Sequence, residues 1–296
     1  MILKTKQEKS ALKIGIIGCG NMGGGMVAQL AGAGMDVSCF DPDMDTRARM
    51  QTNGATVFDN VQDMVAGQLV IILSLPKAQI VEAVMVEIAA RIETGAIVLD
   101  TSTSTPATSQ AMAALGQKHG FDFVDGPVSG GPAAANSGTM TMLLAGQPSA
   151  IDRLRPVTDV LTAKTVMVGA SGAGHAAKIA NNMLCAANLV LVAEAVRMCE
   201  AAGVAPDGLL EGVNAGSGRS GVSEVNFPKW VLNGAFDSGF TMGLMRKDVG
   251  LALELAQQTG VNLDGFAGIA DVWLNQSTQI DDSADFNEIT RHGAET

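Results

Sequence analysis

Apolar runs of a few residues, set apart by amphipathic stretches, dominate the first half of the chain. Runs at 13–17, 36–40, 69–73, 96–99, 122–124, 139–145 and 165–168 are too short for helices. They read as strands of a sheet covered on both faces. Helical periodicity lies between them, most clearly at 77–92 and 105–118. Strand and helix in alternation predict a doubly wound sheet. After Gly169 the pattern changes. A proline-free stretch rich in alanine and leucine occupies 173–202 and ends at Gly203, where glycine commonly follows a helix. Only helical periodicity and loops follow, at 206–214, 228–232, 244–259 and 266–276. The expected organisation is a loose tail over 1–12, an α/β domain over 13–169, and a long connecting helix with an all-α domain over 170–296.

The turn after the first run carries chemistry. Gly18-Cys19-Gly20-Asn21-Met22-Gly23 leads into a helical segment ending near Gly34. Placed between a strand and a helix, this spacing binds a dinucleotide. Gly18 permits the tight turn, Gly20 lets the backbone approach a pyrophosphate, and Gly23 lets the helix pack closely on the strand. The helix N-terminus offers N–H groups to the anion. Asp41 closes the second strand, where a carboxylate can accept from both adenosine ribose hydroxyls. It would repel a 2′-phosphate, and Arg47 and Arg49 lie a turn or more later, so NAD is favoured over NADP. Asp41, ahead of Pro42, also fits a helix N-cap. The α/β domain is therefore expected to be of Rossmann type.

Composition narrows the class. A chain of 296 residues, 47% hydrophobic, can bury two cores. A formal net charge of −11 argues against a nucleic-acid surface, which needs a basic face. Cys19, Cys39, Cys185 and Cys199 form no CxxC pair and no zinc spacing, so no metal site is expected and a reduced, cytoplasmic compartment fits. Cys19 and Cys39 read as packed thiols. The N-terminal residues have no apolar core of a signal peptide. No uninterrupted apolar stretch is expected to cross a bilayer, since the best candidate, around Leu189 to Val196, contains Glu194.

Three further clusters of residues could do chemistry. Asp125-Gly126-Pro127-Val128-Ser129-Gly130-Gly131-Pro132 follows a candidate strand. The Ser129 hydroxyl and the N–H groups of Gly130 and Gly131 could cradle a carboxylate, or the segment is an ordinary turn. Gly172-Ala173-Gly174-His175 leads to Lys178 and Asn182, four apart and so on one helix face. A lysine in an alanine-rich first turn is poorly placed for the helix dipole, and burial there favours its neutral amine. It could exchange a proton near neutral pH, or else be a surface lysine whose head reaches water. Last come Phe240 and the pair Lys247-Asp248, which could equally be a solvated ion pair.

Taken in order, these segments resemble the β-hydroxyacid dehydrogenases, which include 3-hydroxyisobutyrate dehydrogenase and tartronate semialdehyde reductase. The resemblance runs from Lys13 to about Ile289 and includes the glycine turn with Asn21-Met22 and Asp100-Thr101-Ser102-Thr103 with Pro106. It also includes the Asp-x-Pro-Val-Ser-Gly-Gly, Gly-x-Gly-x-x-x-Lys-x-x-x-Asn and Lys-Asp segments. The resemblance implies that Lys178 is the general acid/base and that Asn182 holds the substrate beside it. Ser129, Gly130 and Gly131 would grip the carboxylate, and Phe240 and Asp248 would line or brace the site. Ser102 and Thr103 would lie near the nicotinamide ribose, Leu75 and Pro76 along the cofactor, and Lys247 toward the nicotinamide end. A small carboxylate substrate, an NAD cofactor, a cleft between domains, and a homodimer or homotetramer are implied as well.

Three places depart from the family pattern, one of them Pro132-Ala133-Ala134, which replaces a variable segment that helps shape the substrate pocket. His175 stands where relatives commonly carry glutamine. Ser217-Gly218-Arg219-Ser220 lacks the tryptophan that often follows the arginine, which leaves Arg219 as either a second anion-binding group or a loop residue. Two other readings stand beside the dehydrogenase. One is an imine reductase, against which Lys178 argues. The other is a catalytically silent nucleotide-binding module on the same fold.

Overall fold

The computed structural model of the protein describes residues 12–293. The expected tail over 1–12 lies outside them except for Leu12, which packs against the first core. The chain forms two compact units, one ending at Lys178 and the other beginning at Ile179.

In the first unit, strands β1 (Lys13–Ile17), β2 (Asp36–Phe40), β3 (Thr56–Val57), β4 (Val70–Leu73), β5 (Ile97–Asp100), β6 (Asp122–Asp125), β7 (Val128–Ser129), β8 (Met140–Ala145) and β9 (Thr162–Gly169) form one sheet. Their order is β3-β2-β1-β4-β5-β6-β8-β7, with β9 paired to β8. The strands from β3 to β6 are parallel. β8 runs antiparallel to β6 and β7 and parallel to β9. Every residue of β4 and β5 is buried, as strands covered on both sides require. Alternation divides them between two cores: Val70, Ile72, Ile97 and Leu99 enter one, and Ile71, Leu73 and Val98 the other.

The covering helices are α1 (Asn21–Gly32), α2 (Met44–Thr52), α3 (Val61–Val65), α4 (Ala78–Ile88), α5 (Pro106–His119), α6 (Gly131–Ser137), α7 (Pro148–Arg153) and α8 (Arg155–Leu161). Sequence boundaries for α5 were legible because both ends carry signals. Thr105 accepts from the Thr108 N–H, Pro106 opens the helix, and Gly120 closes it in the left-handed conformation. The shorter α2, α3 and α6 to α8, and two-residue strands β3 and β7, are not foreseen by periodicity. Because β1 lies between β2 and β4, the winding reverses there, and the ends of β1 and β4 open a crevice suited to a ligand.

α9 (Ala173–Ala201) begins in the first unit and continues through the second. The expectation that no stretch could cross a bilayer does not hold on length and composition alone, since α9 reaches a mean hydropathy of 1.5. A single Glu194 does not interrupt an average taken over a whole span. Here Ala186, Leu189, Val190, Ala193 and Val196 of α9 pack into the second unit's core. That core also holds residues of α10 (Pro206–Ala215), α11 (Met242–Thr259) and α12 (Asp264–Asp271). Buried Trp273 closes it by donating its indole N–H to the Ala186 carbonyl at 3.1 Å. The helical reading at 228–232 becomes a longer π-helical segment, Val222–Val231, containing Pro228.

Candidate active site

The glycine turn is shaped by close packing at its two ends. Gly18 has φ +87°, and a Cβ there would lie 2.4 Å from the Ser74 carbonyl oxygen. A Cβ on Gly23 would lie 1.9 Å from the Gly18 carbonyl oxygen, so any side chain would push α1 off the turn. Gly20 differs: a Cβ there meets no protein atom within 4 Å. Packing explains the outer glycines but not the middle one. A cavity of ≈ 380 Å³ opens beside the turn, and Gly20, Asn21, Arg49 and Asn53 line it.

Asp41 holds this turn from the end of β2. Its carboxylate accepts from the Cys19 N–H at 2.7 Å and the Asp43 N–H at 2.9 Å. It is not the helix cap. Asp43, directly before α2, takes that place by accepting from the Thr46 N–H at 3.0 Å. Arg47 donates to the main-chain carbonyl of Asp41 at 2.8 Å and faces Asp59 at 3.8 Å. Cys19 and Cys39 are buried free thiols, as expected. A hydrogen bond with Cys39, then burial, raises the Cys19 thiol pKa, which makes it a poor nucleophile.

The ends of β4 and β5 meet beside the turn. The Leu75 N–H donates to Ser102 Oγ at 2.9 Å, and the Ser102 N–H donates to Asp100 Oδ1 at 3.0 Å. Pro76 is exposed and Thr103 half-buried alongside. These four residues therefore lie, with Gly18 and Gly20, at the C-terminal ends of neighbouring parallel strands.

At the end of β6, Asp125 grips the start of α9. Its oxygens accept from the Gly172 N–H at 2.9 Å and the His175 N–H at 3.2 Å. A Cβ on Gly174 would lie 2.7 Å from both Asp125 Oδ2 and the Leu143 carbonyl oxygen, so this approach requires glycine. Burial raises the Asp125 carboxyl pKa, and the Gly172 hydrogen bond opposes the rise. This clamp was not legible in the sequence, because the donors lie 47 and 50 positions from Asp125.

Lys178 falls in the second turn of α9 rather than the first, and it is only 8% exposed. It is not a surface lysine. Its Nζ donates to Ser129 Oγ at 3.1 Å. Ser129 ends β7, and the following Gly130 and Gly131 take φ of +121° and +66°, a pair of left-handed conformations natural to glycine. The segment is thus an ordered strand end and helix start rather than a loose turn.

In the second unit, Asn182 and Asp248 are both buried, and Asn182 Nδ2 donates to Asp248 Oδ2 at 2.5 Å. Lys247 Nζ lies 3.4 Å from Asp248 Oδ1. Because the Asp248 side chain is 2% exposed, this is not a solvated ion pair. Asp248 braces Asn182. Phe240 packs edge-on against Phe286, with ring centroids 5.2 Å apart. Arg219 is exposed and faces Glu224 at 3.7 Å.

Comparison with known proteins bears on the family and the fold. Residues 13–169 match the family profile described as the NAD binding domain of 6-phosphogluconate dehydrogenase. Residues 172–292 match the NAD-binding domain of NADP-dependent 3-hydroxyisobutyrate dehydrogenase. The 2-(hydroxymethyl)glutarate dehydrogenase of Eubacterium barkeri is 36% identical over 86% of this chain and 86% of its own. The NAD-dependent L-serine dehydrogenase of Pseudomonas aeruginosa is 34% identical over 83% of this chain and 85% of its own. The solved 3-hydroxyisobutyrate dehydrogenase of Mycobacterium tuberculosis with L-serine superposes with a TM-score of 0.89 at 30% identity, covering 96% of this chain and 99% of that one. With a glycine turn at the winding reversal of a Rossmann-type sheet, followed along the sequence by a helical unit, the chain belongs to the β-hydroxyacid dehydrogenase family of nicotinamide-dependent oxidoreductases acting on CH–OH groups.

Proposed function

We propose that the protein oxidises a small 3-hydroxy acid with NAD, or reduces the matching semialdehyde, with Lys178 as general acid/base. The observation that carries this reading is the buried Lys178 amine on the Ser129 hydroxyl, 3.1 Å away. Ser129, with the N–H groups of Gly130 and Gly131, suits a substrate carboxylate. The lysine would then take the proton from the hydroxyl during oxidation, or give one to the carbonyl oxygen during reduction. Asn182, four residues along α9 and braced by Asp248, would hold the substrate oxygen.

The residues present fit a dinucleotide, because Gly20 is a glycine that protein packing does not require. Gly18, Gly20, Asn21, Met22 and Gly23 would hold the pyrophosphate. Leu75, Pro76, Ser102, Thr103 and Lys247 would follow the nicotinamide half. When bound, the cofactor supplies the ring that accepts or gives the hydride. NAD is favoured over NADP because the Asp41 carboxylate would repel a 2′-phosphate.

Chemistry shared among the relatives supports this substrate class. 2-(Hydroxymethyl)glutarate, 3-hydroxyisobutyrate and L-serine are all 3-hydroxypropanoates that differ at C2. Phe240 and Arg219 would read this substituent, with Arg219 suited to a second carboxylate. A homodimer or homotetramer is supported by Leu184, Leu191 and Met198, which recur every seventh residue of α9 and are 58%, 51% and 68% exposed. Four free thiols suit a cytoplasmic setting.

Initial rates with NAD and NADP across C2-substituted 3-hydroxypropanoates test the reading. Lys178→Ala should lower kcat by roughly 10²–10⁴-fold while NAD affinity stays within about 2-fold. Wild-type turnover in that variant would remove Lys178 from the mechanism.

A further inference from the structure

His175 belongs to none of the roles above, yet it is fully buried at the third position of α9 with all its polar atoms engaged. Its Nε2 lies 3.0 Å from the Ser102 carbonyl oxygen, which can only accept, so Nε2 carries a hydrogen and donates. Its Nδ1 lies 2.6 Å from Ser109 Oγ on α5. The Ser109 hydroxyl can donate to a bare Nδ1, or accept from a protonated one while turning its own hydrogen to the Thr105 carbonyl at 3.4 Å. The ring is therefore held from both sides whichever form Nδ1 takes. Asp100 and Asp125 flank it, each with a carboxylate oxygen 3.9 Å from a ring nitrogen.

Ser102 is fixed at three points. Its N–H donates to Asp100, its Oγ accepts from the Leu75 N–H, and its carbonyl accepts from His175. Of these three holds, only the one from His175 comes from α9. Lys178 stands three residues further along the same helix, on a rigid element. One imidazole thus joins the helix that carries the amine to the strand-end segment that carries Ser102 and Thr103.

We propose that His175 is a positioning residue, setting the Ser102–Thr103 segment in register with Lys178 so that hydride and proton are exchanged at one substrate carbonyl group. The proposal rests on the reading of Lys178 as acid/base. His175 is fully buried, with both ring nitrogens facing protein oxygens. A ring whose two nitrogens are both committed to Ser102 and Ser109 acts by alignment, not by relaying a proton.

The test compares His175→Leu, His175→Gln and Ser109→Ala with Lys178→Ala in the full-length enzyme. Leucine removes both hydrogen bonds at similar volume. Glutamine keeps an amide that can donate to the Ser102 carbonyl. Ser109→Ala removes only the hold on Nδ1. Steady-state rates, NAD affinity by calorimetry and the primary deuterium isotope effect on a C3-deuterated substrate are the readouts. Loss of alignment in His175→Leu should lower kcat by roughly 10–100-fold and raise the isotope effect. NAD affinity should stay within about 3-fold, and His175→Gln should recover most of the rate. Ser109→Ala should move kcat and the isotope effect in the same direction by a smaller factor, which keeps the test alive if His175→Leu does not fold.

Three results overturn the proposal. One is a His175→Leu or Ser109→Ala enzyme with wild-type kcat and isotope effect. Another is a loss that glutamine shares in full and that follows NAD affinity, as simple loosening of the fold would give. In both, an inactive Lys178→Ala leaves the functional reading standing. The third is wild-type turnover in Lys178→Ala, which removes that reading and this proposal together.

Discussion

Two Gly-x-Gly turns in the first unit are built alike and used differently. Gly18-Cys19-Gly20 leads into α1, Gly172-Ala173-Gly174 runs into the first turn of α9, and each is held by an aspartate at or just after the end of a strand. Asp41 accepts one backbone N–H from the first turn and one from Asp43 beside it, and Asp125 accepts two at the second. The difference is enclosure. Asp41 is partly exposed and Gly20 looks into open space, whereas Asp125 is completely buried and Gly174 is pressed against it. The same local pattern thus makes a ligand cradle where the sheet opens and a structural clamp where it is covered.

The clamp should be the more fragile of the two. In Gly174→Ala the new methyl meets a carboxylate and a main-chain carbonyl, neither of which can turn away cheaply. We expect a loss of about 1–3 kcal/mol in denaturant unfolding. Gly20→Ala should leave the unfolding midpoint nearly unchanged and weaken NAD binding by roughly 10-fold or more, because the methyl enters only the space a pyrophosphate would use. Equal destabilisation by the two alanines would erase the contrast.

At Asp41 the effect falls on ligand choice. Asp41→Ser should weaken NAD by roughly 10-fold through loss of charge-assisted hydrogen bonds to the ribose, and narrow the preference over NADP. An unchanged ratio of kcat/KM values for the two cofactors would show that discrimination lies elsewhere.

The smallest expected effect is on the acid side of the stability profile. Because burial raises the Asp125 pKa, the folded protein holds that proton more tightly than the unfolded chain does. Its favourable contribution is complete below the unfolded value of about 3.9 and is lost as pH rises through the higher folded value. Asp125→Asn has nothing to titrate, so its stability relative to wild type should improve as pH climbs through that window. A constant difference would mean that Asp125 titrates normally.

Much of this is legible in the sequence alone. The apolar runs at 69–73 and 96–99 lie close to β4 and β5, since strands buried on both faces leave a continuous hydrophobic signature. The glycine turn was readable because its geometry is local. Asp41 was harder. Proline next door made it resemble a cap, but the chain advances two more residues before α2 begins and Asp43 does the capping. The clamp was harder still, since Asp125 meets residues 47 and 50 positions away. No periodicity encodes such a contact. His175 was visible as a departure from its relatives, but its partners Ser109 and Ser102 lie on other elements, 66 and 73 positions distant.

The continuity of α9 bears on how such genes can be recombined. Lys178 and Asn182 sit on opposite sides of the point where the two compact units divide, yet within one unbroken helix. A crossover between homologous genes placed at that division would draw the two residues from different parents. Moved back to the loop between β9 and α9, it would pass them on together while separating Lys178 from its native Asp125 clamp. Chimeras of this family should therefore tolerate a junction on that loop only when the incoming helix start matches the aspartate it inherits.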